Sequence, residues 1–331
     1  MRSPLNKRLF RELRGEFGKY LVIFILMTLT IGMVSGFLVA DGSMIQAYEE
    51  SFEKYNIENG HFRTEKKMNN AQIQDIEDLG IKLYENYYVE EALTNGSTMR
   101  IFKNRDEVNK VCLMKGKMPE KPGEIGIDRM YADNNDLSVG DEIESGGHTW
   151  KITGLVALSD YSALFSNNND SMFDSVKFGV SVVCPEEFDS YKADQLNYSY
   201  AWKYNTEPKN EKVEKDNSED LMEDVAKEVT LEEFVPRYTN QAIIFTGDDM
   251  GGDRSMMIVL LYIIIVIMAF VFAITTSNTI RKEANVIGTL RASGYTRGEL
   301  IRHYMAAPVF VTFIGAIIGN IIGYTVGKDY C

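Results

Sequence analysis

The residues that could do chemistry are few, and their spacing does not suit it. His61, His148 and His303 share no metal-ligand spacing. Asp248, Asp249 and Asp253 sit among glycines and could touch a cation, but they do not follow the pattern of an EF-hand loop, and a solvated hinge accounts for them. No GxxxxGK[ST] loop for phosphates occurs, and no nucleophile stands near a base. The expectation is a chain without a catalytic, cofactor or metal site, and therefore not an enzyme. What it offers instead is a surface. TSNTIRKEANVIGTLRASGYTRGELIRHY, Thr276 to Tyr304, is too polar for lipid and too short for a domain. Its Ile280, Ala284, Ile287, Leu290 and Ala292 share much of one helical face, opposite Arg281, Lys282, Glu283 and Arg291. Gly294 ends this helix and Thr296 caps the next.

Two uncharged apolar runs hold that stretch, residues 256–275 and 305–327. A third, 20–40, lies near the start. Each is about long enough to cross a hydrocarbon core of ~30 Å as a helix rising ~1.5 Å per residue. The first run is longer than a signal-peptide core and lacks a small-x-small cleavage site, so it reads as an uncleaved span. Thr28, Gly32, Gly36 and Ala40 recur every four residues in the first span, and Gly315, Gly319, Gly323 and Gly327 do so in the third. Small residues at this spacing let two helix backbones approach, in this chain or between chains.

The net charge of −13 is unevenly spread. Residues 1–19 carry six bases against two acids, and 276–304 five against two, whereas 41–253 carries 22 bases against 43 acids. Basic flanks stay inside. This places the N-terminus and the 276–304 loop in the cytoplasm and 41–253 outside, in a multi-pass protein of the cell membrane. An acidic outer segment argues against nucleic-acid binding. Residues 1–19 read as an amphipathic helix on the inner membrane surface.

Beyond Ala40 the pattern is a helix capped by Asp41 or Ser43, or an outward extension of the first span. A helix closed by Gly80 follows. Short strands and turns then run from Ile81 to Cys184, with turns at Asn95-Gly96, Pro122-Gly123 and Ser145-Gly146-Gly147. Residues 203–228 are acidic and poor in apolar residues, and read as a loop or disordered insertion. The stretch TLEEFVPRYTNQAIIF reads as a short helix and a strand, and TGDDMGGDRS as a flexible lead into the second span. The expected architecture is three transmembrane helices plus an α+β domain over 41–253. Cys112 and Cys184 could pair or remain small thiols.

Residues Arg281 to Leu300, RKEANVIGTLRASGYTRGEL, resemble the loop of FtsX/MacB-like ABC transporter permeases, through the charged pair with Glu283, Ile287-Gly288, Leu290-Arg291 and Gly294-Tyr295. The segments Gly116 to Ile143 and Ile152 to Phe165 are similar to the extracytoplasmic domain of that family. The resemblance implies an α+β domain of the MacB periplasmic-core type, divided into a part made from its two ends and a middle insertion. It implies a permease that dimerises within membrane lipid and works with a separate cytoplasmic ABC ATPase subunit, which hydrolyses the ATP. It assigns to 280–295 the coupling helix seated on that ATPase. The family has four or more spans, so a chain with three is expected to be part of a longer permease. The implied function is mechanical: ATP-driven movement transmitted to export or extract a lipid, lipoprotein, peptide or drug. A sensor of antimicrobial peptides and a passively anchored ectodomain are the competing expectations.

Overall fold

The computed structural model describes residues 14–329. Most of the amphipathic helix expected over 1–19, and Cys331, lie outside the described residues. The chain divides into two compact units. One comprises the described residues up to Ala47 together with Asp249 onward; the other is Tyr48–Asp248.

The first unit is helical. Among the described residues, three helices are long and apolar enough to cross a membrane: α1 (Phe17–Lys54), with the later α6 (Gln241–Lys282) and α8 (Arg297–Asp329). All three run past their apolar cores. In α1, nothing between Val39 and Lys54 breaks a helix, so DGSMIQAYEESFEK continues it and no new cap is needed. In α6, the helix begins fifteen residues before the expected span, at Gln241, where the Asn240 side chain accepts the amide of Ala242. The segment QAIIFTGDDMGGDRS is therefore helical, not a strand followed by a flexible lead. Glycine costs about 1 kcal/mol in a helix interior, and a helix already nucleated on both sides absorbs it.

The second unit holds two sheets. Its elements are β1 (Gly60–Thr64), α2 (Asn70–Glu77), β2 (Ile81–Glu85), β3 (Tyr88–Ala92), β4 (Thr98–Lys103), β5 (Val111–Gly116), β6 (Glu124–Asp128), α3 (Arg129–Asn134), β7 (Glu142–Ser145), β8 (His148–Leu158), β9 (Phe178–Val183), α4 (Pro185–Phe188), β10 (Tyr198–Tyr204), α5 (Glu211–Glu228) and β11 (Leu231–Pro236). The four-stranded sheet, ordered β11-β1-β10-β2, is antiparallel and draws only on the two ends of the unit. The seven-stranded sheet, ordered β3-β4-β9-β6-β8-β5 with β7 paired to β8, uses only the middle. Its β4–β9 and β6–β8 pairs are parallel. This is the division into ends and middle insertion that the resemblance implied.

Alternation decides which faces are covered. On β1, Phe62 is buried with Tyr200, Trp202 and Phe234 in a stack of rings 4.8 to 6.3 Å apart, while His61 and Arg63 face the other way. The segment 203–228 is not a disordered insertion. Tyr204 ends β10, and α5 starts at Asn210, whose side chain accepts the amide of Val213. Ser218, Leu221 and Val225 make a stripe one turn apart that is buried on the sheet. Such a narrow stripe suffices to hold a helix whose other faces are charged. Cys184 is buried and Cys112 half-buried, and both are free thiols.

Asp128 caps α3 by accepting the amides of Met130 and Tyr131, but burial pushes its carboxyl up to about 6. The folded state therefore holds the proton more tightly than the unfolded chain does. Stability from this group is complete below the ordinary carboxylate range and is lost as pH rises through about 6. Asn is as good a cap without the charge. Asp128→Asn is expected to raise the melting midpoint at pH 7.5 by a few degrees, about 1–2 kcal/mol, and to give a clearly smaller gain at pH 4.5, nearer the ordinary carboxylate range. Equal gains at both pH values would contradict the assignment.

Candidate functional site

The described part of the membrane unit is organised by two features, a glycine seam and a short helix between α6 and α8. In the seam, α1 and α8 meet at their small residues. A Cβ on Gly319 would lie 2.9 Å from the Thr28 carbonyl oxygen, and one on Gly323 2.5 Å from that of Gly32. In return, a Cβ on Gly32 or Gly36 would face the Gly319 or Gly323 oxygen at 3.3 or 3.1 Å. Gly315 is looser, 3.3 Å from the Met27 Cβ, and its carbonyl accepts from Thr28 Oγ1 at 3.4 Å. Both stripes read from the sequence thus face each other within one chain. Tyr20, Ile23, Met268, Ala307 and Val311 pack α6 against this pair.

The short helix, α7 (Ala284–Ala292), is narrower than the 280–295 expected. Arg281 and Lys282 are not on it: with no breaker after Thr275, α6 continues to Lys282, and they form its last turn. Glu283 is the break, with φ −101° and ψ 15°. Its carboxylate accepts Tyr304 Oη at 2.6 Å, tying the break to α8. Nearby, Lys19 Nζ donates to Thr279 Oγ1 at 2.5 Å and to Glu16 at 2.9 Å, and Lys282 reaches the same Glu16 at 3.4 Å. The bond from Lys19, helped by Lys282, holds the Glu16 carboxyl below its ordinary value.

The far end of α7 closes on Gly294. The Tyr295 amide donates to the Leu290 carbonyl at 3.2 Å and the Gly294 amide to Arg291 at 3.1 Å, with Gly294 at φ +94°. This is a Schellman closure, which needs a left-handed residue and so favours glycine. Two residues on, Thr296 and Glu299 cap α8 reciprocally: Thr296 N donates to Glu299 Oε2 at 2.8 Å, and Glu299 N to Thr296 Oγ1 at 3.3 Å. The caps at both ends of this turn were readable from sequence.

None of the residues of α7 is buried. Ile287 and Leu290 are half-buried, Gly288 and Arg291 are exposed, and a Cβ on Gly288 would meet nothing within 4 Å. Tyr295, just beyond, is half-buried. A nine-residue helix is marginal alone. Here its two fixed ends hold it in place with its side chains open.

Residues 258–330 match the protein family described as FtsX-like permease C-terminal. This C-terminal segment is FtsX-like. No curated protein matches its sequence. Among solved structures, the chain is similar to the periplasmic region of MacB from Actinobacillus actinomycetemcomitans. The identity is 10%, the match covers 51% of this chain and 85% of that one, and the TM-score is 0.29. It is also similar to the extracellular domain of the noncanonic ABC-type transporter YknZ from Gram-positive bacteria, at 10% identity, 51% and 92% coverage and TM-score 0.29.

Proposed function

We propose that the chain is the membrane subunit of an ABC system of the mechanical type, in which a partner ATPase drives export or extraction of a lipid, lipoprotein, peptide or drug. The observation that carries this is α7: an open helix clamped at Glu283 and Gly294 between two membrane-spanning helices. A partner pressing on it acts on α6 and α8 together. Arg281, Lys282 and Arg291 supply positive charge beside it, and Ile287, Leu290 and Tyr295 supply apolar contact. The charge distribution supports placing α7 and the N-terminus in the cytoplasm and Tyr48–Asp248 outside. Exposed apolar residues of α6, among them Val259, Tyr262, Val266 and Phe270, form the surface for lipid and for a second permease copy.

Because a side chain at Gly288 meets nothing within the chain, Gly288→Trp is expected to leave thermal stability within about 1 kcal/mol of the parent while cutting co-purification of an ATPase at least tenfold. Reversing Arg281, Lys282 and Arg291 to glutamate should likewise cut ATPase recovery at least tenfold. The test is a pull-down from mild detergent. Undiminished ATPase recovery with both variants would refute the proposed role of this helix.

A further inference from the structure

Within the Tyr48–Asp248 unit, a cleft of about 630 Å³ lies between the two sheets. One wall is the polar face of the four-stranded sheet, with His61, Arg63, Ser199 and Glu233; the other carries Tyr88, Glu90, Thr98, Arg100 and Phe178 of the seven-stranded sheet. Residues 160–174 and 240–242 contribute to the lining. Sites for small molecules are typically roughly 300–1,000 Å³ and favour interfaces between folded parts.

The charges lining this cleft are already balanced. Arg100 donates to Glu90 at 2.6 and 2.8 Å and to Tyr161 Oη at 2.7 Å. Arg63 pairs with Glu232 at 2.7 Å, and Glu233 lies 3.7 Å from its Nε. Asp160 is taken by Arg105, and His61 by the buried Glu58. The exposed Lys177 and Asp174 add one charge of each sign. An ionic ligand would have to break one of the buried pairs or settle for Lys177 or Asp174, whose charges are exposed to water. The aromatic faces are also engaged: the Arg100 guanidinium lies 4.5 Å from the Tyr88 ring centre and 5.0 Å from that of Phe178. The other polar groups of the lining are carboxamide and hydroxyl. Asn86, Asn167, Asn168 and Asn240 already accept through Oδ1, which leaves their amide nitrogens to donate, and Ser166 is taken by Asp170. Asn197 Oδ1 and the Thr98 and Ser199 hydroxyls complete the set. Together these groups both donate and accept.

We infer that this cleft binds a small neutral molecule rich in amide or hydroxyl groups, held between the two sheets. This is independent of the role of α7, and holds whether or not an ATPase engages the chain. A ligand contacting both walls would draw the sheets together, since His61 and Ser199 belong to one and Thr98 to the other.

The test is isothermal titration of the full chain in lipid nanodiscs with four probes. N-acetyl-trialanine amide and maltotriose are neutral; citrate and spermidine are charged. The expected result is binding of at least one neutral probe at or below millimolar concentration. Which neutral probe binds separates a peptide-like from a sugar-like ligand. Thr98→Phe, which fills the cleft from a half-exposed position, should weaken binding tenfold or more. Asn197→Leu is the second variant, should the first fail to fold. Binding of neither neutral probe, preference for a charged one, or unchanged affinity in a folded variant would overturn the inference.

Discussion

Gly323→Leu is expected to abolish the folded membrane unit, lowering recovery from mild detergent at least tenfold. The argument is steric. The position for a Cβ on Gly323 lies 2.5 Å from the Gly32 carbonyl oxygen, 2.8 Å from the Gly36 nitrogen and 2.8 Å from the Ser35 Cβ. Two of these three atoms are backbone, so no rotamer change relieves the clash; the helices must separate. Overpacking a formed interface costs about 1–3 kcal/mol per added group, sometimes more. Separation would also break the neighbouring contacts at Gly319 and Gly36. In lipid there is no hydrophobic drive to compensate, because close packing is itself the main attraction between helices. Gly315→Ala is the graded companion: its nearest contact is 3.3 Å to a side-chain carbon, so a loss of about 1 kcal/mol is expected. Gly288→Leu is the control, with nothing nearby to clash. Recovery and melting midpoint in detergent give the reading. Equal behaviour of Gly323→Leu and Gly288→Leu would show that α1 and α8 do not meet at this seam.

The seam was legible because a repeat of four small residues is a local pattern, and its meaning depends only on helical periodicity. The end of α7 and the cap of α8 were legible for the same reason: Gly294 and Thr296 act within one turn of themselves. The span boundaries were not, because apolar content marks the lipid-compatible part of a helix, not its hydrogen-bonded length. Thus the sequence pattern extends the expected coupling helix over Arg281 and Lys282, which end α6, and gives residues 241–255 as strand and loop where they are helix. Composition also misled at α5, where Leu221 and Val225 anchor eighteen residues of charged helix. The pairing of β1 with β10 and β11 was beyond local reading altogether. His61 opposes Ala201 and Val235 across the sheet, and no pattern around His61 announces partners so distant in sequence. The cleft between the sheets is assembled from such distant residues, so it had no sequence signal of its own.

Those distant pairings also concentrate energy at one buried ion pair, and the second large effect is expected there. Arg105 grips Asp160 with two bonds of 2.7 Å, donates to Asn86 Oδ1 at 2.9 Å and lies 4.6 Å from the Phe102 ring centre. The two side chains are 7% and 5% exposed. Asn86 sits between β2 and β3, where the chain passes from one sheet to the other, so the guanidinium joins that crossing to the loops after β4 and β8. Removing one partner leaves the other charge buried and unpaired. Asp160→Ala or Arg105→Ala is therefore expected to cost about 3–5 kcal/mol. Replacing both with apolar groups removes the attraction and the desolvation penalty together. The double variant Arg105→Met with Asp160→Leu should be more stable than either single alanine variant. Trp150 and Trp202 are both fully buried, one in each sheet, so tryptophan emission in two single-tryptophan backgrounds can follow the sheets separately. Loss of the pair at the crossing should lower the midpoint reported by both. A fall at Trp150 alone would mean that the pair steadies the seven-stranded sheet without joining it to its neighbour, and a fall at neither would mean that the charges reach water once their partner is gone.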